Sequence, residues 1–117
     1  MSDYLQGKIV RLRCKKAYPG AHTHIMIGKV EEENSRYIAI KGRTFHFQSI
    51  VQRKRSEVHA GITMVRVVPW GNIEVIHWLG EKTNWDADFD FDSDGNLILR
   101  DKNHTVIAER QERTDPE

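Results

Sequence analysis

Val67-Val68-Pro69-Trp70-Gly71-Asn72-Ile73-Glu74-Val75-Ile76 joins two apolar runs, residues 62–68 and residues 73–79. Both runs are rich in β-branched residues, which favour strands. Proline lacks an amide donor and glycine tolerates a positive φ, so the residues between the runs predict a turn. The turn leaves the indole of Trp70 at its tip, where the side chain needs either a ligand or a packing partner.

Earlier strands are predicted by the same kind of pattern. Residues 8–16 alternate apolar with basic side chains, which is typical of a half-buried strand with a basic outer face. Residues 25–30 predict a second strand, and Gly28 inside it indicates a bend or bulge. A third strand is expected over residues 36–41.

The middle of the chain is interpreted less completely. Gly42-Arg43 predicts a tight turn into residues 44–47, where two phenylalanines share a face. Residues 48–61 are compatible with a short helix or with a long loop. The conformation of this segment stays open at this point.

The character of the chain changes beyond Gly80. Residues 88–92 alternate acidic with aromatic side chains, and Ser93-Asp94-Gly95-Asn96 is a hairpin signal. Strands are expected to continue through residues 97–100 and 105–108, with a frayed end over 111–117. We therefore predict a barrel domain over residues 1–80 and an acidic β-hairpin extension over residues 81–117.

Charge is distributed unevenly along the 117 residues. Residues 1–66 carry thirteen Lys and Arg against five Asp and Glu, whereas residues 67–117 carry five against twelve. This asymmetry indicates an anionic partner for the basic part, or an acidic tail that lies on a basic surface. The single cysteine and the lack of a long apolar run or a signal-peptide pattern favour a cytoplasmic protein.

Short motifs in residues 7–79 resemble those of the Sm-like family, which includes Lsm and Hfq proteins. Gly7-Lys8-Ile9-Val10, with Gly28-Lys29-Val30 and Tyr37-Ile38-Ala39-Ile40, looks like the first Sm motif, and Trp70-Gly71-Asn72-Ile73-Glu74-Val75-Ile76 is similar to the second. The resemblance implies an all-β fold, a small and strongly bent five-stranded barrel. It also implies a homo-oligomeric ring in which strands four and five of neighbouring subunits pair edge to edge.

The chain departs from the family pattern at two places. The second motif usually reads Arg-Gly-Asn, and here Trp70 stands where the arginine is usual, while Gly71 and Asn72 match. In the first motif Asn34 can stand for the family's aspartate, but no asparagine follows near Tyr37. A nucleotide pocket on this chain would therefore differ from the family's standard one.

Single-stranded RNA is the partner that these residues favour. Trp70 and Tyr37 are placed to stack an unpaired base, and Asn34 and Asn72 to read a base edge. The alternative is that the tryptophan packs on its own barrel or a neighbouring subunit and that the asparagines are only turn residues. The residues assigned to RNA are Asn34, Tyr37, Trp70, Gly71, Asn72, Arg11, Arg13, Arg53, Lys54 and Arg55. The arginines and lysines, together with Lys15 and Lys16, suit phosphates, or else form a solvated face.

Two further patterns suggest metals. The acidic positions Asp90, Asp92, Asp94 and Asp101 match a calcium loop of the EF-hand type, but the flanks have strand character, which favours an acidic hairpin instead. His22 and His24 share a strand face, yet no third ligand can be named, so they are interpreted as surface or interface histidines. No cofactor is expected.

No nucleophile, base and orienting group occur together, so the chain is not expected to be an enzyme. The leading hypothesis is a homo-oligomeric ring that binds single-stranded RNA. The alternative is a ring-forming structural or protein-interaction module without nucleic-acid binding. In a further variant of that alternative, the acidic tail binds calcium.

Overall fold

The computed structural model describes residues 4–18, 20–47 and 55–109, with only the backbone of Arg55. The predicted frayed end at 111–117 lies outside these ranges, as do residues 48–54 of the segment 48–61. Within them the fold is all-β and its two sheets are antiparallel. The larger sheet contains β1 (Ile9–Cys14), β2 (Thr23–Glu33), β3 (Tyr37–Phe47), β4 (His59–Ala60), β5 (Met64–Pro69) and β6 (Ile73–Trp78).

The strand β3 is the branching element of this sheet. One of its edges pairs with β2 along nearly the whole length, and β2 is followed by β1 and then β6. The other edge is divided: its first half pairs with β5 and its second half with the two residues of β4. The backbone of the late part of 48–61 therefore forms a 3₁₀ turn, Arg55–Glu57, and the short strand β4.

The predicted turn at Gly42-Arg43 is wrong, because β3 runs without interruption from Tyr37 to Phe47. Gly42 lies directly opposite Gly28 of β2. A Cβ atom on Gly42 would lie 2.1 Å from the carbonyl oxygen of Ile27, so the two strands meet at a point that tolerates no side chain. The glycine that looked like a turn residue is required for close packing of two backbones.

The predicted closure of the barrel is also wrong: the larger sheet is open. β5 and β6 are joined by the 3₁₀ turn Trp70–Asn72, but β5 pairs with β3 and β6 pairs with β1. In the described residues neither strand pairs with the other. The turn carries the chain from one end of the sheet to the opposite end, which leaves one edge of each strand without a partner.

A second sheet of three strands follows, where the prediction was a hairpin extension. It consists of β7 (Phe89–Phe91), β8 (Leu97–Leu99) and β9 (Val106–Ala108) in that order. Its apolar side chains, including Phe89, Leu97, Leu99 and Ile107, join Ile25, Ile27, Phe45 and Phe47 of the larger sheet in one buried cluster. The larger sheet packs its other face around a separate cluster of Val10, Leu12, Met26, Val30, Ile38 and Ile40.

Burial of both faces of β2 explains why its apolar run is almost continuous. Ile25 and Ile27 face the core shared by the two sheets, whereas Met26 packs into the cluster on the opposite face. A strand that is covered on both faces needs apolar residues at consecutive positions. The second sheet therefore accounts for the sequence of the strand at the centre of the first.

Candidate functional site

The turn Trp70–Asn72 lies against the loop between β2 and β3, and we call this region the Trp70 turn. The backbone amide of Trp70 donates to the carbonyl oxygen of Arg36 at 3.2 Å. The indole Nε1 donates to the carbonyl oxygen of Asn34 at 2.7 Å. The structure thus brings together the aromatic and asparagine residues that the sequence assigned to RNA.

The Asn34 side chain stabilises the β2–β3 loop. Its side-chain Oδ1 accepts hydrogen bonds from the backbone amides of Arg36 and Tyr37 at 2.9 and 3.0 Å. An asparagine that accepts from the amides two and three residues later forms a turn of its own, which explains the residue type without a ligand. The Tyr37 hydroxyl in turn donates to Glu32 at 3.1 Å. Sequence reasoning did not single out Glu32.

Trp70 has the position expected of a packing residue. Its indole is partly buried against the cluster on the face of the larger sheet that does not pack on the second sheet, and the indole nitrogen is hydrogen-bonded within the chain. Gly71 and Asn72 are exposed. The exposed part of the Trp70 turn is therefore the glycine and asparagine, with the tryptophan beneath them.

Asn72 lies close to basic residues at the end of β1. Its carbonyl oxygen accepts a hydrogen bond from the backbone amide of Lys15 at 2.8 Å. Lys15 and Lys16 are both exposed. The Asn72 side chain forms no hydrogen bond with the part of the chain that the structure describes. An exposed asparagine whose backbone is bonded to a basic segment is an arrangement that suits a nucleotide.

Arg11 does not face outward as the alternating pattern predicted. Only 9% of its surface is exposed, and Nη1 donates to the carbonyl oxygens of Val106 and Ile107, both at 3.2 Å. Its Nη2 lies 3.1 Å from Nδ1 of His77. The second sheet covers this side of β1, so the arginine ties the two sheets together.

The other basic residues assigned to RNA are dispersed or lie outside the described ranges. Arg13 forms an ion pair with Glu74, with Nε 2.9 Å from the carboxylate. Arg53 and Lys54 are outside the described residues, and so is the side chain of Arg55. Their assignment to phosphates stays a prediction.

Three of the four acidic residues that match a calcium loop, Asp90, Asp92 and Asp101, accept hydrogen bonds from nearby backbone amides. Asp92 accepts from the amides of Asp94 and Asn96, which outweighs the opposing effect of burial and lowers the pKa of this carboxyl. Asp90 pairs with Arg100 across β7 and β8. Over residues 4–18, 20–47 and 55–109, no group of three or more His, Cys, Asp or Glu is arranged to hold a metal ion.

Two histidines that the sequence left scattered, His46 and His59, join the predicted pair His22 and His24, and we call these four residues the histidine ladder. His24 of β2, His46 of β3 and His59 of β4 are direct cross-strand neighbours. Sequence reasoning noted the pair on one strand but not its partners, because finding them requires the register of β2 against β3 and of β3 against β4.

The unpaired edges of β5 and β6 carry exposed apolar side chains. Val65 and Val67 are 55% and 60% exposed, Met64 is 47% exposed, and Trp78 at the end of β6 is 55% exposed. The apolar content of both strands was visible in the sequence. Which side chains stay exposed depends on the strand order.

Comparison with known proteins adds no relative to these observations: no family model, no curated protein and no solved structure matches the chain. Among the described residues, no helix combines the length and the apolar character that crossing a bilayer requires.

Proposed function

We propose that the chain is an Sm-like protein that assembles with copies of itself into a homo-oligomeric ring and binds single-stranded RNA on that ring. The observation that carries the proposal is the strand order β5–β3–β2–β1–β6, which, among the residues that the structure describes, ends in an unpaired edge on each side. We further propose that closure of the barrel takes place between subunits, with β5 of one copy joining β6 of the next.

The exposed side chains of β5 support this assembly. A strand edge that offers unpaired amides and apolar side chains favours pairing with another chain. Val65 and Val67 are more than half exposed on such an edge. Joining β5 to β6 is a head-to-tail contact, and head-to-tail contacts close into rings when the rotation between copies divides a full turn.

The assembly is tested by the mass of the protein in solution. Light scattering coupled to size-exclusion chromatography is expected to give a discrete multiple of 13.6 kDa. The double variant Val65→Lys and Val67→Lys places two like charges on the edge and is expected to shift the protein to the monomer. Tyr18→Lys is the control, because Tyr18 is 65% exposed but lies in the turn between β1 and β2 and in neither edge strand. A wild-type monomer at every concentration contradicts the proposal.

RNA binding is supported by the exposed part of the Trp70 turn. Asn72, Lys15 and Lys16 are all exposed, and the backbone amide of Lys15 donates to the Asn72 carbonyl oxygen. An amide reads the edge of a base, while lysines contact phosphates with a strong dependence on salt. Each subunit of a ring would contribute one such surface, so the weak contacts of single turns would add along one strand of RNA.

Fluorescence anisotropy with a labelled single-stranded RNA tests this surface at about 50 mM and about 200 mM salt. We expect micromolar binding at the lower concentration and a marked loss at the higher one. Asn72→Ala is expected to weaken binding about tenfold, whereas Asn103→Ala, an exposed asparagine of the second sheet, leaves it unchanged. A ring that shows no binding at low salt would identify the protein as a ring-forming interaction module instead.

A further inference from the structure

The histidine ladder lies on one face of three adjacent strands. The His24 and His46 rings are 5.1 Å apart between centroids with planes 3° from parallel, and the His46 and His59 rings are 5.0 Å apart at 29°. His22 adds a fourth ring 5.6 Å from His46. Imidazoles therefore follow one another across β2, β3 and β4 at a nearly constant spacing.

The four rings have only one another as side-chain partners. Within the part of the chain that the structure describes, none of them forms a hydrogen bond or an ion pair with a carboxylate. His24 and His59 are exposed, and His22 and His46 are partly so. The ring nitrogens of a four-histidine cluster are thus open to solvent and to a ligand.

The geometry of the rings argues against a shared metal ion. A metal lies about 2.0–2.1 Å from each histidine nitrogen that it binds, so two nitrogens on one ion must converge. A metal lies in the plane of each imidazole that binds it, and the stacked His24 and His46 rings lie in planes only 3° from parallel, so their nitrogens do not converge on one ion. The described residues contain no cluster arranged for a metal, in agreement with this argument.

Protonation gives the ladder the chemistry of an anion site. A protonated imidazole donates from both ring nitrogens and carries a positive charge. Because neighbouring rings are about 5 Å apart, a second proton is opposed by the charge of the first unless an anion lies between them. Burial lowers the pKa of His46, and the charges of His24, His59 and His22 lower it further, in that order.

We propose that the histidine ladder is a binding site for a chain of phosphate groups, which it binds when its imidazoles are protonated. Phosphate chains repeat anionic oxygens along a line, as the ladder repeats N–H donors across three strands. The charged residues that flank these strands in the sequence are Lys15 and Lys16 before the β1–β2 turn and Glu57 before β4. Glu57 has an interaction of its own with another part of the chain.

This site uses other side chains than the Trp70 turn. His24 and His46 are paired near the start of β2 and the end of β3, whereas Asn34 and Tyr37 lie where β2 ends and β3 begins. Asn72 lies nearer the ladder, because it contacts Lys15 just after β1, and β1 ends beside the start of β2. Substitutions in the ladder and at Asn72 therefore test the two proposals separately.

Nuclear magnetic resonance of the histidine ring protons tests the site in the full-length chain. Titrations from pH 5.0 to 8.0 with and without tripolyphosphate are expected to show higher pKa values of His24 and His46 in its presence, because the anion favours the protonated rings. Affinity for tripolyphosphate is expected to be at least about tenfold higher at pH 5.5 than at pH 7.5. If the pKa values of His24 and His46 stay unchanged both in saturating tripolyphosphate and in a saturating single-stranded oligonucleotide, the proposal is overturned.

Substitutions in the ladder distinguish the effect of imidazole charge from the effect of ring packing. His46→Phe keeps an aromatic ring in the ladder but cannot be protonated, and it is expected to abolish the pH-dependent binding. His59→Gln, at an exposed position, is the second variant if His46→Phe fails to fold. His104→Asn is the control, since His104 is exposed, lies outside the ladder and has a φ of +49° that asparagine tolerates. Equal losses in the control and in both ladder variants contradict the assignment.

Binding of two different ligands distinguishes between the possible sources of the phosphate chain. Binding of both tripolyphosphate and a single-stranded oligonucleotide at pH 5.5 identifies a general phosphate site, and binding of the oligonucleotide alone identifies a nucleic-acid backbone. Asn72→Ala is expected to leave either result unchanged, which keeps this test distinct from that of the Trp70 turn. Binding of neither ligand at pH 5.5 overturns the proposal.

Discussion

Gly28 and Gly42 lie opposite each other on β2 and β3, and neither position has room for a Cβ atom. The nearest atoms on both sides belong to the backbone of the partner strand, at 2.1 Å from a Cβ on Gly42 and 2.4 Å from one on Gly28. Backbone atoms cannot turn away as the end of a flexible side chain can. The close approach of the two strands therefore depends on both glycines.

We expect Gly42→Ala to destabilise the protein by about 3 kcal/mol or more, because overpacking at a rigid site forces the strands apart. Urea unfolding followed by circular dichroism measures the change. Gly71→Ala is the matched control: a Cβ atom there meets no atom within 4 Å. The control should change stability by less than about 1 kcal/mol. A harmless Gly42→Ala would contradict the observed spacing of β2 and β3.

Trp70→Phe is expected to cost about 1–2 kcal/mol. The variant loses the hydrogen bond from the indole Nε1 to the Asn34 carbonyl oxygen and part of the packed ring surface. Trp78→Phe serves as the control, because Trp78 is 55% exposed, and it should lie within about 0.5 kcal/mol of wild type. Equal effects in the two variants would show that the Trp70 turn does not hold the β2–β3 loop.

Arg43 joins the two sheets from β3. Its Nη1 donates to the Ala87 carbonyl oxygen at 2.9 Å, its Nε donates to that of Gly61 at 3.1 Å, and its guanidinium lies 5.1 Å from the Phe45 ring. Arg43→Met removes the donors and leaves the carbonyl oxygens unpaired, for an expected loss of about 2–3 kcal/mol in urea unfolding. Lys41→Met, an exposed position two residues earlier on the strand, should change stability little.

Stability is expected to fall as the pH is lowered below about 6.5. Burial and then the charge of His22 lower the pKa of His24, and burial with the three neighbouring rings lowers that of His46. Since the unfolded chain takes up these protons more readily, stability that is complete above the usual pKa decreases as the pH falls towards the lower folded values. Unfolding free energies at pH 7.5, 6.0 and 5.0 measure the slope.

His46→Gln should reduce that slope, because the middle ring of the ladder no longer takes up a proton in the unfolded state. His104→Asn again provides the control and should keep the wild-type slope. A wild-type protein equally stable at pH 7.5 and 5.0 would contradict the lowered pKa values. Phosphate buffers are to be avoided in this measurement, since a bound anion would mask the effect.

Asp101 is expected to stabilise the turn between β8 and β9 at neutral pH. Burial opposes its ionisation, but hydrogen bonds from the hydroxyl and amide of Thr105 and from the amides of Asn84 and Asn103 hold its pKa below the usual value. Asp101→Asn should cost about 1–2 kcal/mol at pH 7. The difference from wild type should shrink as the pH falls through the lowered pKa of this carboxyl. Asp94→Asn, at an exposed turn position, provides the control.

The sequence predicted most strands because their signals are local. The alternation in residues 8–16, the apolar runs beside the Trp70 turn and the Asp94-Gly95 turn all report backbone preferences within a few residues. The uninterrupted β3 was missed because Gly42 serves a contact with a distant strand. A glycine needed for a turn and a glycine needed for close approach look the same in one sequence.

Only part of the candidate site could be predicted, because the rest depends on contacts between residues distant in the sequence. Asn34 accepts hydrogen bonds from Tyr37 and Trp70, so these three candidate residues lie together, while their role in RNA binding stays a prediction. The prediction that Arg11 faces solvent was wrong. Alternation with a period of two residues shows which side chains share a face of the strand, but not whether another part of the chain covers that face. The second sheet covers it, and this packing involves residues about ninety-five positions apart.

The core shared by the two sheets has a practical consequence for anyone who shortens the chain. Ending the protein at Gly80 would remove Phe89, Leu97, Leu99 and Ile107 from the cluster that also contains Phe45 and Phe47. It would leave those phenylalanines uncovered and the guanidinium of Arg11 without its carbonyl acceptors. The behaviour of such a fragment in solution would be dominated by its exposed apolar face. The acidic segment therefore has to be studied by single surface substitutions within the intact chain.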